Sequence, residues 1–215
     1  VSSHLGAVVD RFVTAYGGRH YGYEVLEQTN LRKAMASVFG QQTIPDFDIE
    51  NADVVLSFGA DFLNTWLSPV RYSWGYGEFR QGDRKRGKLI HVDSRFSMTA
   101  ANADEWVYVK PGMEGLLALS IAQVVISEGA LDSTIVDTLI GSRAGDLVEY
   151  APEQTAAKIG ISADRIRHIA HEFTGHGVGL AIGGGTAAAH TNGLFNMRAI
   201  YSLNYLVGSV GKRGG

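Results

Sequence analysis

Short apolar runs that end on glycine or on a polar residue alternate along this chain with stretches in which apolar positions recur every three or four residues. Ala52 to Phe58 (ADVVLSF) is β-branched at its centre and closed by Gly59. Lys88 to Val92 (KLIHV) ends at Asp93, Glu105 to Val109 is stopped by Lys110-Pro111-Gly112, and Gly179 to Ile182 runs into Gly183-Gly184-Gly185. Apolar runs of this length, bounded by turn residues, predict buried strands. Between them, Leu5 to Ala15 places Leu5, Val8, Val9 and Phe12 on one helical face, and Asn30 to Phe39 does the same with Leu31, Met35 and Val38. Leu116 to Ile126 is apolar enough to be buried on most sides. Ser162 predicts the N-cap of a helix through Phe173 with Ile166, Ile169 and Ala170 inward, and Phe195 to Val207 predicts a last helix ended by Gly208. The alternation predicts an α/β fold: one domain over residues 1–215, with a doubly wound, mainly parallel sheet, helices on both faces and a crevice at the carboxyl ends of the strands. No linker, low-complexity tract or internal repeat interrupts it.

Composition narrows the function classes. The 215 residues include 27 glycines and 4 prolines, and the glycines fall where the strand-like runs end, as in sheets whose turns approach a ligand. A net charge of −3 argues against nucleic acid or an anionic membrane surface as partner. The densest basic run, Arg84-Lys85-Arg86 with Lys88, reads as a solvated loop ahead of a strand. The absence of cysteine excludes disulfides, zinc thiolates and iron–sulfur ligation from this chain. No apolar run approaches the roughly 20 residues that span a bilayer, so direct membrane insertion is not expected. A start at Val1 without methionine and an end on Gly214-Gly215 predict a fragment of a larger subunit.

Four loops should meet at the strand ends: 59–64, 93–99, 111–114 and 183–192. Their contents suit a nucleotide-like ligand. Gly59 lets backbone come close; Asp61 and Asn64 can bond base or ribose groups; Asp93, at a strand tip, can accept from sugar hydroxyls. Arg95 and Ser97 can hold a phosphate through charge-assisted bonds. Glu114, in a helical first turn after Pro111-Gly112, can accept from a guanine edge or serve only as a partner of the helix dipole. Gly183-Gly184-Gly185-Thr186 looks like a phosphate-cradling turn, but it lacks both the G-x-G-x-x-G spacing and a Walker lysine. His168 and His171 lie three apart on a helix without a third ligand nearby in sequence, which points to solvent-facing histidines and not a metal site. No nucleophile triad can be assembled, so no catalytic residue is assigned. Trp66, Tyr72, Trp74, Tyr76 and Phe79 read as a small satellite core, with a partner surface as the alternative.

In this order and at these intervals, the loops resemble the cofactor domain of the molybdopterin oxidoreductase family, over essentially the whole chain. The resemblance rests on Phe58-Gly59-Ala60-Asp61, on Asp93-Ser94-Arg95 with Thr99-Ala100-Ala101, on Pro111-Gly112-Met113-Glu114, on His190-Thr191-Asn192-Gly193 and on the ending Leu206 to Gly215. It implies a Rossmann-like domain that holds one guanosine arm of bis-molybdopterin guanine dinucleotide, with Gly59, Asp61, Asn64, Asp93, Arg95, Gly112, Glu114, Gly184, Thr186 and His190 as cofactor-binding positions. The departures matter as well. Where the family places a cysteine, selenocysteine or serine ligand to the metal, Gln28-Thr29-Asn30-Leu31 offers none, and Thr186 and Ala189 stand where the family has a second glycine and a glutamine. Phe39-Gly40-Gln41-Gln42 and the segment Ser57 to Val70 are most similar to the branch formed by the large subunits of alternative complex III, a quinol-oxidising bacterial assembly in which the metal cofactor is lost.

The resemblance therefore implies a domain of a quinol-linked respiratory electron-transfer complex. Its partners would be the remaining domains of the same subunit and iron–sulfur and membrane subunits, on the periplasmic side of a bacterial membrane. Two functions stay open, a non-catalytic scaffold domain and a catalytic domain binding the pterin dinucleotide; the missing ligand favours the first. A third reading, the nucleotide-binding central domain of thiamine-diphosphate enzymes, shares the strand-end loops but leaves His190 to Gly193 unexplained.

Overall fold

The structure, a computed structural model, describes residues 3–21, 28–81, 85–129 and 141–215. Its centre is a four-stranded sheet of β1 (Val54–Phe58), β2 (Lys88–Val92), β3 (Glu105–Val107) and β4 (Gly179–Gly183) in the order β3-β2-β1-β4. All three pairings are parallel: Val54 lies opposite Lys88 and Gly179, and Ile90 opposite Glu105. Every strand therefore ends at the same edge, and the loops that follow are forced together. β1 and β4 are buried at each position, which is why their sequences read as continuous apolar runs without alternation. β3 is shorter than the predicted 105–109, because Lys110 N–H turns away to the carbonyl of Ile159.

Helices cover both faces. They are α1 (Ser3–Ala15), α2 (Thr29–Phe39), α3 (Pro69–Arg80), α4 (Met98–Ala101), α5 (Glu114–Ser127), α6 (Pro152–Ile159), α7 (Ala163–Gly175) and α8 (Gly193–Leu206). On one face Leu56, Phe58, Ile90 and Val92 pack against Leu117, Ile121 and Val124 of α5 and Ile166, Ile169 and Phe173 of α7. On the other, Val55, Leu89, Leu180 and Ile182 meet Leu31 and Met35 of α2, Tyr72 and Phe79 of α3, and Met197 and Tyr201 of α8. Each such side chain contributes roughly 1.5–3 kcal/mol by leaving water. Ser162 caps α7 as expected, its Oγ accepting from the Arg165 N–H at 3.2 Å.

Three expectations are corrected. The face of α1 that should have turned inward is open, with Leu5, Val8 and Phe12 each more than half exposed; amphipathic spacing shows that a face wants cover but not what covers it. The segment 69–80 is a helix, started by Pro69 at its first position. Gly75 and Gly77 weaken its helical signal by about 1 kcal/mol each, yet Tyr72, Tyr76 and Phe79 still share one face. These rings, with Trp66, join the main core and not a satellite, while Trp74 stays outside beneath the Arg71 guanidinium. In the basic run, Lys88 is the first residue of β2, as the run 88–92 predicts, and Arg84 lies outside the described residues.

Candidate functional site

The turn after β1 and the turn after β4 press directly on one another. Gly59 has φ of +63°, and a methyl group there would strike Thr186 Oγ1, the Ala187 amide and the Gly184 carbonyl. Gly185 in turn lies against the Gly59 carbonyl, and Gly184 lies against the Trp66 indole. The close approach that these glycines allow is of loop to loop. Gly112 differs: its φ is +82° and a methyl group there would meet Asn192 and His190 only at ordinary contact distances of 3.5–3.8 Å, so there the left-handed backbone is what calls for glycine.

The acidic residues are built into this junction. Asp61 is buried; its Oδ1 accepts from the Thr99 N–H at 3.1 Å and the Thr99 hydroxyl at 2.8 Å, and its Oδ2 from Arg95 Nη2 at 3.3 Å and Asn64 Nδ2 at 3.4 Å. Asp93 is wholly buried, and its Oδ1 accepts from the Arg95 N–H and the Thr186 hydroxyl, both at 3.0 Å. The Asp93 Oδ2 has no well-formed hydrogen bond, with His91 Nε2 at 3.5 Å. Burial alone would raise the Asp93 carboxyl, but the bonds from His91, Arg95 and Thr186 outweigh it and hold it below the usual carboxylate range.

Glu114 opens α5, where its charge also faces the helix dipole. Its Oε2 accepts from Asn196 Nδ2 at 3.2 Å and its Oε1 has no partner. Burial, with Asp93 nearby, pushes its carboxyl above the usual range. Asn196 also donates to the Ala187 carbonyl at 3.0 Å and accepts from the Gly115 N–H at 3.2 Å, while Asn192 donates to the Gly112 carbonyl at 2.8 Å. These bonds tie the loop before α5 to the segment leading into α8. The half-buried His190 ring lies beside Gly112.

A cleft of about 330 Å³ opens over the junction, lined by Gln28, Asn30, Asp61, Trp66, Arg95 and Thr186 among others. That is near the lower end of the roughly 300–1,000 Å³ typical of small-molecule sites. Of the positions expected to bind a cofactor, Gly59, Asp61, Arg95 and Thr186 line this cleft. Asn64 is exposed beside it, bonded to Asp61. Asp93 and Gly184 lie beneath, and Gly112, Glu114 and His190 form an adjoining group. Ser97 is corrected as a phosphate contact: it is buried and its Oγ caps α4 through the Ala100 N–H at 3.2 Å. His168 and His171 pair with different carboxylates, Glu105 at 3.0 Å and Glu128 at 2.8 Å. Among the described residues there is no cluster of three or more histidine, aspartate or glutamate side chains able to hold a metal, and no helix long and apolar enough to cross a membrane. A second cavity of about 250 Å³ lies under α2 and α8. Of its polar lining side chains, Gln41, Thr43, Asp46, Tyr201 and Asn204, the last two are already bonded to Gly183 and Ala181.

Three polar residues of this assembly were given no role by sequence reasoning: His91, Asn196 and Thr99, the last named only within the motif that carries the resemblance. Each interrupts an otherwise apolar or small-residue stretch, and that interruption was the available signal.

Comparison with known proteins agrees with this architecture. A sequence profile described as molybdopterin oxidoreductase matches residues 2–215. The menaquinone reductase molybdopterin-binding-like subunit of Nitratidesulfovibrio vulgaris is 27% identical over 98% of the chain and 30% of its own length. A probable dimethyl sulfoxide reductase chain of Escherichia coli K12 is 28% identical over 95% of the chain and 28% of its own length. The molybdopterin-containing subunit of an arsenate respiratory reductase from Shewanella sp. ANA-3 is 26% identical over 79% of the chain and 22% of its own length. The chain thus spans less than a third of these relatives. Among solved structures, acetylene hydratase from Pelobacter acetylenicus superposes with a TM-score of 0.71 at 21% identity, over 86% of this chain and 25% of that one, a likeness of fold. The thiamine-diphosphate reading is set aside by the family match.

Proposed function

Because the chain belongs to the molybdopterin oxidoreductase family, we propose that it is a scaffold domain of a quinone-linked respiratory electron-transfer complex, keeping the family's nucleotide cleft without a side-chain ligand to a metal. The observation that carries this reading is the wall of the cleft formed by the start of α2. Gln28, Thr29, Asn30 and Leu31 line it; none is a cysteine or serine, and the Asn30 amide is committed to the Ala188 carbonyl at 2.8 Å. The name of the Nitratidesulfovibrio relative, a menaquinone reductase subunit, supports the quinone-linked setting.

One arm of a pterin guanine dinucleotide fits the residues present. Arg95, with its side chain 59% exposed, would meet phosphate, and the Thr186 hydroxyl and Asp61 would meet sugar or base. The unpaired Oε1 of Glu114 is an acceptor suited to the donor edge of guanine, which would reach it only if the overlying loops part. Such a cofactor supplies redox chemistry when bound; the residues of this chain bind and orient it. A cleft of this size takes part of one arm and not the whole pair. A catalytic role is the second reading, favoured by the exposed Arg95 guanidinium at the cleft.

Metal and pterin analysis of the full-length subunit tests the proposal. The expected result is no stoichiometric molybdenum or tungsten. A full equivalent of metal per subunit would establish the catalytic reading instead.

A further inference from the structure

We infer that His91 is a positioning residue that donates from Nε2 to Asp93 and thereby holds two residues of the cleft, Arg95 and Thr186, from beneath. His91 is wholly buried on β2. Its Nδ1 lies 3.0 Å from Ser57 Oγ on β1; its Nε2 lies 3.3 Å from Ser97 Oγ and 3.5 Å from Asp93 Oδ2. Asp93 is a hub. Its carbonyl accepts from Trp106 Nε1 at 3.1 Å and its Oδ1 from the Arg95 N–H and the Thr186 hydroxyl, so its Oδ2 is the atom still lacking a donor.

Counting donors selects the tautomer, since a neutral imidazole has one N–H. With that proton on Nδ1, Nε2 could take the Ser97 hydroxyl at 3.3 Å, but its lone pair would still face a bare carboxylate oxygen inside the protein, and Oδ2 would have no donor. With the proton on Nε2, Asp93 receives it and the Ser57 hydroxyl turns to Nδ1. The Ala60 carbonyl, which Ser57 Oγ otherwise reaches at 3.2 Å, keeps the Phe62 N–H at 2.8 Å, and Ser97 Oγ keeps the Ala100 N–H at 3.2 Å. The one donor that gives up its acceptor is therefore the Ser97 hydroxyl, which loses its bond to the ring, against a carboxylate oxygen that gains a donor. The other charged groups around the hub are already matched or set aside from the ring: Asp61 is paired with Arg95, and Glu114 stands beside Asp93 with His190 beyond it. The ring therefore fixes the rotation of the Asp93 carboxylate, and through Oδ1 the places of the Arg95 backbone and of Thr186. This holds whatever the cleft binds.

The test uses the chain labelled with nitrogen-15 histidine, with His91 assigned by the signal missing from His91→Gln. Long-range proton–nitrogen spectra should show a protonated Nε2; a bare Nε2 overturns the inference. Amide hydrogen exchange then separates positioning from mere filling of space. His91→Gln, which can still present an N–H, should keep protection of the Arg95 amide within about threefold, whereas His91→Leu should lose about tenfold or more there with the Leu56 amide unchanged. Equal behaviour of the two variants at Arg95 also overturns it. Should the leucine variant fail to fold, the tautomer read on the unsubstituted chain still decides.

Discussion

The two ends of the sheet treat charge in opposite ways. At the carboxyl end, Asp61, Asp93 and Glu114 are sealed, 3%, 0% and 0% exposed, and each is bonded to particular atoms of a neighbouring loop. At the amino end, Lys88 on β2 lies 2.7 Å from Glu105 on β3 and 2.8 Å from Glu172 on α7, and Glu105 also takes Arg165 at 2.7 Å and His168 at 3.0 Å. These side chains remain between 15% and 41% exposed. The open cluster has redundant partners and water as a substitute, so no member is indispensable. The sealed acids have fixed partners and no water to substitute for them, so each sets a loop position. For Lys88, burial is outweighed by its bonds to Glu105 and Glu172, which raise its pKa; Glu105 is lowered, its bonds to Lys88 and His168 outweighing burial.

Substitutions can break or sharpen that contrast. The largest effect should come from Gly59→Ala, where left-handed backbone strain adds to a collision with the turn after β4, at a cost of about 3 kcal/mol or more. Gly112→Ala, with the same backbone demand but only ordinary contacts around the added methyl, should lose only about 1 kcal/mol. Equal losses in urea unfolding would mean that the loops are not packed as described. Next, Asp61→Ala strands the buried Thr99 N–H and hydroxyl and should cost about 2–3 kcal/mol, with little dependence on salt.

Glu114 offers a pH test. Because its carboxyl is held above the usual range, the folded state binds that proton more firmly than the unfolded chain does. Its stabilisation is present below the ordinary carboxylate value and is lost as pH rises through the folded value. Glu114→Gln should remove that fall, leaving the variant relatively more stable at pH 8 than at pH 5; an unchanged pH profile would place Glu114 in water. The smallest effect belongs to Lys88→Met, within about 1 kcal/mol and shrinking between 0.1 M and 1 M salt. A larger, salt-independent loss would show that the amino-end cluster behaves like the sealed one.

Much of the frame was legible in the chain. All four strands lie within or beside the expected apolar runs, and β1 and β4 were the plainest, because a strand buried on both faces leaves a continuous apolar signature whatever surrounds it; the half-exposed β3 stops two residues short of its run. Helix 69–80 was hidden by Gly75 and Gly77, whose local preference is overruled by the burial of Tyr72 and Phe79. Of the candidate site, the convergence of loops was readable from parallel strand order. The division of labour among its residues was not: Asp93 and Thr186 are 93 positions apart, and no local pattern announces their bond.

What the sequence alone determined is thus periodic and local: where apolar runs start and stop, which turns need glycine, and the absence of any cysteine to ligate metal. Only the tertiary structure decided that the strand-end glycines press on each other, that Asp61, Asp93 and Glu114 are bound inside the protein, and that the apolar face of α1 stands open. The physical reason is that a hydrogen bond or a packed contact between distant segments depends on sheet register and loop path, which are set by the fold as a whole and not by any stretch of chain taken alone.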